Sequence, residues 1–235
     1  MGGMDGMDNM DIEHFYREKG EGDALILIHG NGEDSGYFQG QIDEFARFYH
    51  VYAIDTRGHG KTARGSMPFT IRQFADDLLC FMDSHAIAKA HLLGFSDGGN
   101  IAMVFAIKHP ERVDRLILNG ANLTAAGVKR STQLPIELGY RIARRFAAKS
   151  ESARRNAEML SLMVNDPNIR PEELAGIQAE TLVIAGTNDM IQERHTRLIA
   201  DSIPSSTLVF IKGNHFIAHN CPSAFNKAVL EFLGR

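Results

Sequence analysis

The chain has 235 residues, a formal net charge of −4, and a hydrophobic fraction of 44% against a charged fraction of 23%. These values are typical of one globular domain and give no reason to expect binding to nucleic acid or to a membrane. The two cysteines, Cys80 and Cys221, are far apart in sequence, which argues against a disulfide framework. We therefore expect a reducing compartment and a cytoplasmic location.

The first ten residues predict a disordered leader. Residues 1–10 have neither the basic start nor the apolar stretch of a signal peptide. The chain has no run of about 18 apolar residues, so we expect no transmembrane helix.

From residue 11 onward, short apolar runs alternate with amphipathic stretches. The apolar runs predict buried strands at residues 12–17, 24–28, 50–55, 91–95, 115–118, 181–185 and 207–211. Apolar residues at three- and four-residue spacing predict helices at residues 37–48, 70–84, 100–109, 192–202 and 223–233. This alternation predicts an α/β fold with a mostly parallel, doubly wound sheet and helices on both faces.

Residues 122–169 interrupt this alternation because they show helical patterns only. The segment would lie above the carboxyl ends of the strands, where such sheets bind ligands. We therefore predict a core of residues 11–121 and 170–235 and a helical lid of residues 122–169. Residues 122–160 hold eight basic and three acidic residues, a net charge of +5, which leaves −9 for the rest of the chain. This basic lid is either a solvated helical face or a docking surface for an acidic carrier protein.

The sequence GFSDG at residues 94–98 directly follows a predicted strand and precedes a predicted helix. This is the G-x-S-x-G pattern, in which a serine lies on a sharp strand-to-helix turn with its hydroxyl exposed. The flanking glycines let neighbouring backbone pass without a Cβ clash, and the helix start directs backbone N–H groups at the serine. The alternative is a glycine-rich turn with an incidental serine. The context favours Ser96 as a catalytic nucleophile.

A serine nucleophile needs a base, and the base needs a group that orients it. Asp189 and His215 each follow a predicted strand, so their loops should meet Ser96 at the carboxyl edge of the sheet. We predict that His215 is the base and that Asp189 is its orienting carboxylate, in the chain order Ser, Asp, His. The alternatives are a helix cap for Asp189 and His219 as the base.

His215 and His219 lie four residues apart, a spacing that also occurs in zinc sites. A metalloprotease helix of that kind needs Glu at the position that Phe216 occupies. We therefore expect no metal and no cofactor.

Two backbone N–H groups are predicted to stabilise the developing oxyanion. Asp97 supplies one of them because it directly follows the nucleophile. The other is expected from the loop at residues 29–32, which reads HGNG, and Asn31 is the candidate donor. The side chain of His29 is expected to hold this loop in place.

In their order and spacing, these motifs resemble the α/β-hydrolase superfamily over residues 11–233. The resemblance includes the HG pair at residues 29–30 and the DTRGHG loop at residues 55–60, which is structural in that family. The SDGG at residues 96–99 and the NGAN at residues 119–122 are similar to the biphenyl-hydrolase-like group, which includes valacyclovir hydrolase. The resemblance implies an α/β-hydrolase fold with a short helical lid.

Resemblance and motifs together imply a serine esterase for a small or medium carboxylic ester, which reacts through an acyl-serine intermediate. A serine at position 96 argues against family branches that use an aspartate nucleophile. Three alternatives remain open. The same triad can hydrolyse a carbon–carbon or amide bond, or act on a carrier-linked thioester or methyl ester, or the chain is a slow-turnover ligand receptor on a hydrolase scaffold.

The side chain of Asp97 places a carboxylate beside the nucleophile, where many such turns have an apolar residue. It either caps or pairs within the start of the following helix, where a negative charge is favourable, or faces the pocket and binds a substrate ammonium. An α-amino acid ester would carry its ammonium at that position.

Overall fold

The computed structural model describes residues 11–235, and the predicted leader lies outside this range. Within it, the strands form one seven-stranded sheet in the order β1-β3-β2-β4-β5-β6-β7. β1 is antiparallel to β3, and all other neighbours are parallel, which confirms the predicted mostly parallel sheet. The strands are β1 (Tyr16–Lys19), β2 (Ala24–Ile28), β3 (His50–Ile54), β4 (Ala90–Phe95), β5 (Val113–Asn119), β6 (Glu180–Gly186) and β7 (Ser206–Ile211).

Helices cover both faces of this sheet. They are α1 (Gln39–Phe45), α2 (Ile71–Ser84), α3 (Asp97–Lys108), α4 (Arg130–Phe146), α5 (Glu151–Asn165), α6 (Glu193–Ser202), α7 (Ile217–Asn220) and α8 (Pro222–Phe232). None of the helices between residues 11 and 235 is long and apolar enough to cross a membrane.

Alternate residues of the central strands face two separate cores. In β2, Leu25 and Leu27 pack with residues of α1 and α8, whereas Ile26 and Ile28 pack with residues of α2 and α3 on the opposite face. All four side chains are fully buried. The continuous apolar run at residues 24–28 thus reflects a strand that is covered on both faces.

The first strand lies further along the chain than the predicted residues 12–17. β1 begins at Tyr16, which pairs with Ile54 at the carboxyl end of β3. Because the two strands are antiparallel, the residues before Tyr16 run past the end of β3, and the Phe15 carbonyl oxygen accepts a hydrogen bond from the Asp55 N–H there at 2.8 Å. Ile12 is nevertheless buried, which explains its apolar character without a strand.

The predicted lid segment contains two long helices, α4 and α5, which pack against each other. Pro135 lies inside α4, although proline removes a backbone donor from a helix interior. Before α4, Val128 forms an isolated antiparallel bridge with Ile191, the residue that follows the loop of Asp189. The segment is thereby joined to the carboxyl edge of the sheet.

Candidate active site

Ser96 occupies the turn between β4 and α3 with a backbone φ of 53° and ψ of −120°. A positive φ is uncommon for a residue with a side chain, and the surrounding packing enforces it here. A Cβ on Gly98 would lie 2.0 Å from the carbonyl oxygen of Ile28, and one on Gly94 would lie 2.2 Å from the carbonyl oxygen of Gly98. The two glycines therefore allow β2, β4 and α3 to meet closely enough to form the turn.

The side chains of Ser96, His215 and Asp189 form a continuous hydrogen-bonded chain. His215 Nδ1–H donates to Asp189 Oδ1 at 2.7 Å, and His215 Nε2 lies 3.0 Å from Ser96 Oγ. With the Nδ1 proton directed at the carboxylate, Nε2 is free to accept the serine proton. His215 and Asp189 are only 5% and 4% exposed, so their interaction is shielded from water.

Asp189 is itself held by backbone groups. Its Oδ1 accepts a hydrogen bond from the Ile191 N–H at 2.9 Å, and its Oδ2 accepts one from the Gly186 N–H at 3.4 Å. β6 ends at Gly186, so the strand end fixes the carboxylate directly. These bonds define the orientation that Asp189 imposes on the imidazole of His215.

The structure brings His215, and not His219, to the serine. His219 lies in the short helix α7 with an exposed side chain, and its ring centroid is 6.3 Å from that of Tyr37. Between residues 11 and 235, no three His, Cys, Asp or Glu side chains lie close enough together to hold a metal ion.

The loop after β2 runs directly beside the serine. A Cβ on Gly30 would lie 3.2 Å from Ser96 Cβ. Neither the Asn31 N–H nor the Asp97 N–H has a hydrogen-bond partner among residues 11–235. Both are therefore available as donors to an oxygen atom bound next to Ser96.

His29 fixes this loop from behind. Its Nδ1 donates to the Gly30 carbonyl oxygen at 2.7 Å, and its Nε2 accepts the Thr56 N–H at 3.0 Å. Burial lowers the pKa of His29 to about 4, so the ring is neutral at pH 7 and can keep this donor–acceptor pattern. This arrangement agrees with the structural role expected for His29.

Helix α5 is attached to the same side of the site by two adjacent residues. The Asn31 side chain donates from Nδ2 to the Met159 carbonyl oxygen at 2.7 Å. One residue earlier, Glu158 accepts a hydrogen bond from Arg64 Nη2 at 2.8 Å and two more from Arg64 Nε. The loop that offers the Asn31 N–H is thus tied to the predicted lid.

The Asp97 side chain is buried and only partly paired. Its Oδ1 accepts a hydrogen bond from Asn100 Nδ2 at 3.0 Å, and its Oδ2 has no partner among residues 11–235. Asn100 is held in turn by reciprocal bonds with Asn122. Burial raises the pKa of Asp97 to about 6, and the negative charge of Asp166 adds to this shift, whereas the side chains of Asn100, His215 and Asn31 offset part of it. One oxygen is therefore paired within α3, and the other remains available.

Residues 23–157 match the family model described as alpha/beta hydrolase fold. The chain belongs to the α/β-hydrolase family. The fold expected from the sequence motifs is thereby confirmed.

This α/β hydrolase is similar over almost its full length to several named enzymes. It is 28% identical to a protein of Caulobacter sp. (strain K31) named as a carbamate hydrolase, RutD, with 94% of this chain and 96% of that protein covered. It is 27% identical to the 2-hydroxy-6-oxononadienedioate/2-hydroxy-6-oxononatrienedioate hydrolase of Escherichia coli (strain K12), with 94% and 90% covered. The relatives support the assignment of this protein as a hydrolase.

Solved structures give the same result for the fold. The meta-cleavage product hydrolase of Pseudomonas fluorescens IP01 matches with a TM-score of 0.78 and 26% identity, covering 95% of this chain and 94% of that one. The enol-lactonase of Burkholderia xenovorans LB400 matches with a TM-score of 0.80 and 24% identity, covering 95% and 97%. At that identity, the second match shows the shared fold alone.

Two further polar side chains of this α/β hydrolase lie near the triad, and the sequence motifs did not identify them. Glu33 Oε2 and Tyr37 Oη are buried without a partner among residues 11–235. The Tyr37 ring stacks on Phe95 with centroids 4.4 Å apart, and Phe95 lies 4.9 Å from the His215 ring. Burial raises the pKa of Glu33 to about 7, an effect that the Gly30 N–H and the nearby His215 offset in part. No spacing rule marks these two residues, because their burial depends on how the loop after β2 folds.

The stability of the protein should depend on pH through Glu33. Its folded-state pKa of about 7 lies above the ordinary value of 4.5, so the folded state binds the proton more tightly. The resulting stabilisation is fully present below pH 4.5 and is lost as the pH rises through 7. We expect Glu33→Gln to reduce this loss in thermal unfolding measured across that range. The exposed Glu21→Gln is the control, and an unchanged pH dependence in Glu33→Gln would contradict the assignment.

Proposed function

We propose that this protein is a serine hydrolase that cleaves a small or medium carboxylic ester through an acyl-serine intermediate. The observation that carries the proposal is the hydrogen-bonded chain from Asp189 through His215 to Ser96 Oγ. The strained turn that presents Ser96 and the two free N–H groups beside it support the same reaction class.

In the proposed reaction, Ser96 Oγ attacks the ester carbonyl carbon while His215 Nε2 takes the serine proton. Asp189 stabilises the resulting imidazolium, and the backbone N–H groups of Asn31 and Asp97 bind the oxyanion. The intermediate collapses, the alcohol leaves with the proton from His215, and the acyl group remains on Ser96. A water molecule then attacks the acyl carbon while His215 Nε2 takes its proton. The acid leaves as the bond to Ser96 Oγ breaks, and His215 returns the proton to Ser96 Oγ.

A second candidate is hydrolysis of a carbon–carbon, amide or carbamate bond by the same residues. The observation that favours it is the similarity over almost the whole chain to proteins named as a carbamate hydrolase and a 2-hydroxy-6-oxononadienedioate hydrolase. Both candidates require a nucleophile, a base and an oxyanion site. They differ in the leaving group that His215 must protonate.

A substrate panel tests the proposal. Purified protein and its Ser96→Ala variant are assayed on aryl and alkyl esters, a lactone, an aryl carbamate, an anilide and a vinylogous diketone with a cleavable carbon–carbon bond. The proposal expects the highest kcat/KM on an ester, together with Ser96-dependent labelling by a fluorophosphonate. A clear preference for the carbamate, the anilide or the diketone would favour the second candidate.

We further propose that Asp97 binds a cationic group of the substrate. Its Oδ2 is buried and unpaired, and Asp166 contributes negative potential to the same region. With a pKa of about 6, Asp97 is mostly ionised at pH 7. An ammonium about 5 Å away at an effective dielectric near 20 would gain about 3 kcal/mol before desolvation.

Replacement of Asp97 by Asn should therefore alter selectivity. We expect kcat/KM for an α-amino acid aryl ester to fall on the order of tenfold, because desolvation of the ammonium offsets part of the attraction. The matched ester without the amino group should be unaffected or slightly faster, since a negative charge next to the oxyanion is removed. Steady-state kinetics on the matched pair measure this difference. An equal fall on both esters would assign Asp97 a structural role.

A further inference from the structure

Helix α4 exposes a row of large apolar side chains to solvent. Leu134, Leu138, Ile142 and Phe146 are 49%, 59%, 54% and 49% exposed. Residues four apart lie above one another on the same side of a helix, so these four form a continuous stripe. At 1.5 Å per residue, the stripe extends about 18 Å along the helix. We refer to these four residues as the α4 stripe.

Cations lie directly beside the α4 stripe. Arg141 and Arg145 each follow a stripe residue by three positions and lie on the adjacent side of α4, and Lys149 follows in the turn after the helix. All three are exposed, and we refer to them as the cation row. None of the three forms an ion pair with another residue between 11 and 235. Glu137, which begins the same row, is half-buried and is the only acidic residue of α4.

The opposite side of α4 is already occupied. Gln133 is buried there, and Ile136 and Tyr140 are half-buried where α4 packs on α5. The stripe borders α5 at Ile142 and Phe146, which line a groove with α5 residues, and all four of its side chains remain about half exposed. It is an unpartnered surface that combines apolar side chains with unpaired positive charge.

The charge of this surface indicates its occupant. A second copy packed on the same face would gather six cations around one contact, and like charges disfavour such a contact. An anionic surface neutralises the row, and a lipid interface also offers an apolar layer directly beneath its charged groups. A helix with Leu and Phe on one side and Arg and Lys beside them is the pattern of helices that lie in a bilayer surface.

We infer that α4 attaches this protein to the surface of a membrane that contains anionic lipids. In this arrangement the α4 stripe enters the boundary between headgroups and acyl chains, and the cation row contacts the lipid phosphates. The attachment does not involve Ser96, His215 or Asp189, so it is independent of the proposed reaction. Overall net charge does not predict this property, because the acidic remainder of the chain masks the local positive charge.

The test is co-sedimentation of the full chain with vesicles at low salt. One set of vesicles is pure phosphatidylcholine, and the other contains about one-third phosphatidylglycerol. We expect binding to the anionic vesicles, weaker binding to the neutral ones, and a decrease at high salt. The double variant Arg141→Gln/Arg145→Gln should bind about thirtyfold more weakly, since each cation near such a surface raises the binding constant about fivefold.

Removal of the apolar side chains should have a similar effect. We expect Leu138→Asn/Ile142→Asn to weaken binding by on the order of thirtyfold, because two half-exposed apolar side chains are no longer transferred from water into the bilayer. The matched control is Phe48→Asn/Leu198→Asn, which removes two large side chains that are 37% and 40% exposed elsewhere on the surface. This control should bind like the wild type, and circular dichroism confirms that each variant is folded.

Three results would overturn the inference. The first is an absence of binding of the wild type to anionic vesicles. The second is equal binding by the wild type and Leu138→Asn/Ile142→Asn. The third is a wild type that does not bind vesicles but binds another partner. That partner would be a second copy, seen as a dimer in analytical ultracentrifugation that Leu138→Asn/Ile142→Asn abolishes, or a purified acidic acyl-carrier protein. These last outcomes would assign the stripe to a second copy or to an acidic protein.

Discussion

Replacement of Ser96 by Ala is expected to lower kcat for ester hydrolysis by at least about 10⁴-fold. The reason is that Ser96 supplies the hydroxyl 3.0 Å from His215 Nε2 and no other hydroxyl among residues 11–235 bonds to this atom, so the acyl-enzyme cannot form. Residual turnover from the oxyanion donors and substrate binding should remain slightly above the uncatalysed rate. Steady-state kinetics on an aryl ester measure the loss, and a fluorophosphonate probe should no longer label the protein.

His215→Ala should reduce kcat by a comparable factor, because nucleophile and base act as a unit. The matched control is His219→Ala. His219 is a histidine of the same loop region, but it is exposed and makes no hydrogen bond with Ser96. We expect this control to retain activity close to that of the wild type. If His219→Ala proves as damaging as His215→Ala, the assignment of the base is wrong.

The second large effect is expected on stability. A Cβ at position 98 would lie 2.0 Å from the Ile28 carbonyl oxygen and 2.5 Å from the His29 carbonyl oxygen. Both contacts are with backbone in the middle of the fold, so neither neighbour can move aside as a flexible side chain can. We expect Gly98→Ala to lower the free energy of unfolding by about 3 kcal/mol or more, and Tm by about 10 °C.

Gly139→Ala provides a matched control within another helix. A Cβ at position 139 would lie 3.4 Å from the end of the Leu160 side chain, which can adjust. Alanine is favoured over glycine in a helix interior by up to about 1 kcal/mol, so this variant should be as stable as the wild type or more so. Thermal and urea unfolding of both variants decide the comparison. A Gly98→Ala variant with wild-type stability would contradict the close approach of β2 and α3.

The sequence motifs were sufficient to locate the candidate site because topology determines where strand ends lie. Ser96, Asp189 and His215 follow β4, β6 and β7, which are parallel, so all three loops are at one edge of the sheet. The chain order and the glycine spacing then predict which side chains meet. In the structure the three side chains are hydrogen-bonded to one another, and their catalytic roles stay a prediction.

The DTRGHG loop illustrates a motif whose role depends on distant residues. Arg57 is 1% exposed and forms paired hydrogen bonds of 2.7 Å with Asp77 of α2, and it also contacts Asp11 at 2.7 Å. The structural role implied by the family resemblance fits this arrangement. The partners themselves could not be predicted, because they lie 20 and 46 positions away and no local pattern marks them.

The remaining features depend on packing between segments, which a single sequence does not specify. The burial of Glu33 and Tyr37 follows from the path of the loop after β2. Apolar spacing in α4 predicts a helix, but it does not tell which side is covered, and a buried stripe would have been the ordinary expectation. In the structure, the stripe from Leu134 to Phe146 is the exposed side.

The attachment of α5 to the loop that carries the Asn31 N–H would couple substrate access to the proposed stabilisation of the oxyanion. Any movement of α5 away from the sheet separates Asn31 from the Met159 carbonyl oxygen and Arg64 from Glu158 at the same time. An open conformation that admits a bulky substrate thus also releases the loop that carries the Asn31 N–H. Bulky substrates should consequently have a lower kcat as well as a higher KM, whereas substrates that fit beneath a closed α5 keep the full kcat. Selectivity by size would then arise from the turnover step, without any side chain that blocks the pocket.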